Sequence, residues 1–81
     1  MIQGTLQQVS GIVADVLGVP VNLVTADSGP DTLEAWDSVQ HLNVILAIEQ
    51  SFDFQLDPKE IEGTKNVAAI AAIVDRKLSG S

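Results

Sequence analysis

The chain reads as an all-α protein, a small four-helix bundle of three main helices and one short helix, with a long loop after the first. Three observations predict this class. Apolar residues recur at spacings of three and four through three separate segments. No segment shows the strict alternation of a half-buried strand. The apolar content is dominated by Leu, Ile, Val and Ala, and the only aromatics are Trp36, Phe52 and Phe54, a mixture that suits helical bundles better than β-sandwiches. Eighty-one residues allow one domain, expected over 1–78, with 79–81 as a flexible tail. A chain of this size buries only about 60–65% of its unfolded surface, so a deep catalytic cleft is hard to build.

Thr5 to Leu17 is the first expected helix. Leu6, Val9, Val13 and Val16 line one face, widened by Ile12 and Leu17, with Thr5 as N-cap and Gly18 as the stop. Val19 to Trp36 follows as a long connection rich in turn residues, pinned by Val21, Leu23, Val24, Leu33 and Trp36. Connections this long are uncommon unless they serve a function or wrap the core. Asp27 to Asp31 lacks the alternating acids and terminal Glu of a calcium loop.

The second helix is expected from Asp37 or Ser38 to Ser51, with Leu42, Ile45, Leu46, Ile48 and Phe52 as its apolar stripe and Val39 at its first turn. Gln40, Asn43, Glu49 and Gln50 are expected to face water. A short helix, Pro58 to Glu62, takes Asp57 as its cap and ends at Gly63. The last helix, capped by Asn66, runs from Val67 to Leu78 on Val67, Ile70, Ala71, Ile73, Val74 and Leu78. Arg76 and Lys77 in its final turn complement the helix dipole.

Charge is unevenly distributed. The net charge is −7, and Met1 to Pro58 contains eight acids and no Lys or Arg. Binding to nucleic acid or to an anionic membrane needs a basic footprint and is not expected. Basic protein partners suit this half, although acidity also simply keeps a small protein soluble. There is no cysteine, which excludes disulfides, a protein thiolate nucleophile and zinc–sulfur sites. The N-terminus lacks a signal-peptide pattern and no run is long enough to span a membrane, so the expected location is cytoplasmic.

Function concentrates at Trp36-Asp37-Ser38-Val39. Asp37 can cap the second helix, which leaves Ser38 in the first turn with its hydroxyl outward. A phosphate ester there meets free N–H groups and the positive helix end, with Asp37 repelling it locally. On its own, Asp-Ser before an apolar helix is an ordinary cap. A hydrolase built from Asp37, Ser38 and His41 is disfavoured, because one exposed turn supplies neither an oxyanion hole nor a second wall. His41 alone has no partners at metal-ligand spacing and reads as a surface or half-buried helix residue. Neither a catalytic nor a metal site is expected.

With its flanking segments, this stretch resembles the acyl carrier protein family. The resemblance rests on Trp36-Asp37-Ser38-Val39, the helix Gln40 to Phe52, Asp57-Pro58-Lys59-Glu60-Ile61, Asn66 to Ile70, and upstream on Val13 to Val19 with Val24. It implies a four-helix bundle and a protein that is not an enzyme. It also implies 4′-phosphopantetheine attached to Ser38 by a phosphopantetheinyl transferase, with Asp37 helping to place that enzyme and its metal. The borrowed thiol carries thioesters, so a chain without cysteine still supports thiol chemistry; the bundle can shelter an acyl chain between its helices. Val39 matches the family's partner-touching residue, and Gln40, Asn43, Glu49 and Ile61 complete the expected partner face. The other expected partners are acyl- or aminoacyl-loading and acyl-processing enzymes.

Two departures stand out from the family pattern, which has glycine near the Asp-Ser and leucine after it. Trp36 and Val39 occupy those places, and the second helix is poor in acids. Both favour a specialised lipid or polyketide-type pathway over housekeeping fatty acid synthesis. Because the chain starts at Met1 and spans one domain, a free-standing monomer is expected. The alternatives are a peptidyl or aminoacyl carrier, and a helical adaptor that only binds partner proteins.

Overall fold

A computed structural model describes residues 2–80, with side chains from Gly4 to Ser79. Four α-helices follow in order: α1 (Ile2–Leu17), α2 (Ser38–Phe52), α3 (Pro58–Glu62) and α4 (Val67–Gly80), with a 3-10 turn at Val21–Leu23 in the long loop. No strand occurs among the described residues. The expected all-α bundle of three main helices and one short one is what forms. α1 packs against both α2 and α4 and against the 3-10 turn.

Val9, Val13 and Ala14 of α1, Val24 and Trp36 of the loop, Val44 and Ile48 of α2, and Val67, Ile70, Ala71 and Val74 of α4 form the main core. A second cluster joins Ile45, Leu56 and Ile73, with Phe54 and Ile61 packed against it.

The helix starts follow their caps. Asp37 Oδ1 accepts the Gln40 N–H at 2.9 Å. Asp57 and Glu60 form a reciprocal capping box, and Pro58 takes the first helical position, where its missing N–H costs nothing. Asn66 Oδ1 accepts the Ala69 N–H at 2.8 Å. α1 stops at Gly18, whose φ of 71° suits glycine.

The long loop wraps onto the start of α4. The carbonyls of Ala26 and Ser28 accept the N–H groups of Ala68 and Val67, both at 2.9 Å, satisfying donors that a helix start leaves free. Ser28 is buried, and its Oγ accepts the Thr25 N–H at 2.9 Å.

Five expectations need correction. Thr5 is not an N-cap: α1 begins at Ile2, and the Thr5 hydroxyl donates instead to Asp75 Oδ1 on α4 at 2.7 Å. Leu6, Val21 and Leu23 are exposed, so Val24, Leu33 and Trp36 pin the loop. Leu42 and Leu46 point outward, 61% and 54% exposed, while Val44 joins Ile45 and Ile48 on the buried face of α2. Gln40 and Glu49 are half-buried rather than water-facing. Leu78 is exposed, and α4 continues past it through Ser79 to Gly80, Ser81 lying outside the described residues.

Candidate functional site

Ser38 is the first residue of α2 and is exposed. Asp37 precedes it in extended conformation, and its carboxylate is already committed to the Gln40 N–H. The Asp37 carbonyl accepts the His41 N–H at 2.8 Å, the first bond of the helix. The N–H groups of Ser38 and Val39 have no intrahelical acceptor, as at any helix start. The serine hydroxyl thus stands in water beside unsatisfied donors at the positive end of a helix of 15 residues. That arrangement can hold a phosphodiester, and the cap bond partly occupies the one carboxylate that would oppose it.

Behind Ser38 the junction is buried and hydrogen-bonded. Trp36 is 1% exposed and lies edge to edge with His41, with ring centroids 5.9 Å apart. Trp36 Nε1–H donates to His41 Nδ1 at 2.9 Å. Across the ring, His41 Nε2 lies 2.9 Å from Thr64 Oγ1, and the Thr64 hydroxyl donates to the Ile61 carbonyl. Because Nδ1 accepts and the Thr64 proton is used on Ile61, Nε2 carries the imidazole proton and donates to Thr64. Burial lowers the His41 pKa from its ordinary value, since the charged ring is disfavoured away from water.

The remaining residues of the expected partner face separate into two groups. Val39 is 68% exposed, and Asn43 is exposed with its Nδ2–H donating to Gln40 Oε1 at 3.1 Å. With Leu42 and Leu46 they form an outward face of α2. Glu49 and Ile61 are engaged internally: Glu49 Oε2 accepts the Leu56 N–H at 2.8 Å, and Ile61 packs on the second cluster. Lys77 Nζ lies 2.8 Å from Glu60 Oε1, and that contact, with the Asp57 N–H bond, holds the Glu60 carboxyl below its ordinary pKa.

Sequence reasoning left the role of His41 open and passed over Thr64. His41, Val44, Ile45 and Ile48 stand at positions i, i+3, i+4 and i+7, the pattern of one buried face, so His41 could have been placed inward. Thr64 carries no comparable signal, because its His41 partner lies 23 positions away. Among the described residues, no three His, Cys, Asp or Glu side chains group to hold a metal ion, and no helix is long and apolar enough to cross a membrane.

Comparisons with known proteins agree with this geometry. The family model described as "Phosphopantetheine attachment site" matches residues 7–74. An acyl carrier protein of Akkermansia muciniphila is 30% identical over 70 residues, covering 86% of this chain and 88% of the relative. The solution structure of a holo acyl carrier protein from Geobacter metallireducens superposes with a TM-score of 0.83 at 29% identity, covering 94% of this chain and 87% of that one. The match over most of the chain, in both sequence and fold, makes it a member of the acyl carrier protein family, non-enzymatic carriers whose working group is a covalent 4′-phosphopantetheine arm.

Proposed function

We propose that Ser38 is the residue that bears the arm and that the chain carries acyl intermediates as thioesters for a specialised lipid or polyketide-type pathway. The observation that carries the assignment is the placement of Ser38: an exposed hydroxyl at the first position of α2, beside N–H donors and an acid already capping the helix. In the attachment step, Ser38 Oγ forms a new P–O bond to the phosphopantetheine phosphorus of coenzyme A. The bond to the 3′-phosphoadenosine nucleotide breaks, and the Oγ proton is released. The arm supplies a terminal thiol that this chain lacks.

The expected partners are a phosphopantetheinyl transferase and enzymes that load and process the cargo, met by a cytoplasmic monomer through Val39, Gln40 and Asn43. The pathway assignment draws on the outward face of α2, where Val39, Leu42 and Leu46 are apolar and exposed and no acid stands in the first turn. Incubation with coenzyme A, Mg²⁺ and a broad-specificity transferase, followed by peptide mapping, tests the reading. The arm is expected on the peptide that contains Ser38. An unmodified chain beside a modified control carrier would favour a helical adaptor, and preferential charging by an aminoacyl-loading enzyme would favour an aminoacyl carrier.

A further inference from the structure

Ser38 stands between two residues whose side chains are bonded to each other. Asp37 caps α2, so Trp36 comes just before the cap and His41 four residues after it. A contact between those two positions fixes the angle at which a chain enters a helix, and it is ordinarily apolar. Here it is a hydrogen bond: Trp36 Nε1–H donates to His41 Nδ1 at 2.9 Å. A hydrogen bond weakens steeply as its donor swings out of line, so it sets the entry angle more narrowly than an apolar contact can.

This bond is anchored in the fold. Trp36 and Thr64 are 1% and 3% exposed, and His41 Nε2 reaches Thr64 Oγ1 just ahead of α4. Nested inside it, Asp37 Oδ1 accepts the Gln40 N–H and the Asp37 carbonyl accepts the His41 N–H, as any capped helix start provides. The Ser38 hydroxyl enters none of these bonds and Ser38 is exposed, so its direction is set by the residues on either side. Filling the core at Trp36 needs the rings of the indole and not its N–H.

Resting on the carrier reading above, we propose that Trp36 and His41 are positioning residues for attachment of the arm: their bond holds the end of the loop against the first turn of α2, so that Ser38 Oγ is presented to coenzyme A in one direction. Neither side chain takes part in the chemistry. Orientation counts once carrier and transferase have met, so loss of the bond slows the bound complex and leaves binding unchanged.

The test is single-turnover arm attachment to the whole chain, with coenzyme A saturating and a broad-specificity phosphopantetheinyl transferase in increasing excess. Intact mass follows the reaction, and a wild type that takes no arm overturns the carrier reading and this proposal together. Trp36→Phe removes the donor and His41→Leu the acceptor. Each is expected to lower the maximal rate about fivefold, as the loss of one hydrogen bond predicts, at an unchanged half-saturating transferase concentration. Because both break the same bond, the double variant is expected to be no slower than either. Thr5→Val removes a different hydrogen bond, from α1 to Asp75 of α4, and is expected to keep the wild-type maximal rate. A carrier that is merely less stable behaves in that way: its transferase-bound form is folded, so only the half-saturating concentration rises. A wild-type maximal rate in a folded Trp36→Phe or His41→Leu protein would overturn the proposal, as would a matching loss in Thr5→Val or losses that multiply in the double variant. Circular dichroism establishes folding first, and one folded single variant suffices.

Discussion

The indole N–H of Trp36 donates to Nδ1 of His41 at 2.9 Å, and this bond ties the end of the long loop to the first turn of α2. It fixes the neutral imidazole with its proton on Nε2, and a protonated ring would have to give up the bond. Trp36→Phe keeps most of the bulk but removes the donor, and is expected to cost ~1 kcal/mol in guanidinium unfolding. Trp36→Ala also empties the site of the largest fully buried side chain and is expected to cost about 3–5 kcal/mol.

The same bond gives a pH dependence with a definite sign. Burial lowers the His41 pKa in the folded state, so at mildly acidic pH the unfolded chain binds the proton more readily than the folded one. Stability from this group is complete above the unfolded value of about 6.5 and is lost as pH falls from there through the folded value. Urea unfolding at about pH 7.5 and about pH 5.5 should show a larger loss for wild type than for His41→Gln, which cannot titrate. Equal losses would mean that His41 is not held neutral.

Two glycines separate packing from helix propensity. A Cβ on Gly29 would stand 2.3 Å from the Lys65 carbonyl oxygen, where the loop is bound to the start of α4. Gly29→Ala is expected to destabilise by about 1–3 kcal/mol. A Cβ on Gly11, inside α1, meets nothing within 4 Å, and Gly11→Ala is expected to stabilise by about 0.5–1 kcal/mol. Thermal unfolding of the two variants should move in opposite directions.

Asp37 serves the helix through its oxygen more than its charge. Asp37→Asn retains a side-chain oxygen for the Gln40 N–H and is expected to match wild-type stability within a few tenths of a kcal/mol, whereas Asp37→Ala loses the cap and about 1 kcal/mol. Chemical denaturation of the pair checks this; equal losses would put the effect in the charge.

The sequence revealed helix starts better than helix faces. Asp37, Asp57 with Pro58, and Asn66 are caps whose chemistry is local, and all three begin helices where expected. Thr5 resembles them, yet its hydroxyl bonds to Asp75, 70 positions away, which no local pattern reveals. On α2 there are more aliphatic residues than one face can bury. Choosing Leu42 and Leu46 over Val44 was a choice between two apolar stripes that only the packing of α1 and α4 decides. The placement of Asp37 and Ser38 at an exposed, capped helix start was legible because cap chemistry is local, whereas the attachment role proposed for Ser38 comes from the resemblance and not from the cap. The His41–Thr64 bond was not, because it spans 23 positions.

The central claim is that Ser38 alone bears the arm. Intact mass of wild type and Ser38→Ala, after incubation with coenzyme A, Mg²⁺ and a broad-specificity phosphopantetheinyl transferase, tests it most directly. The account predicts one added phosphopantetheine on the wild type and none on a folded Ser38→Ala protein; an arm on Ser38→Ala, or an unmodified wild type beside a modified control carrier, would contradict it.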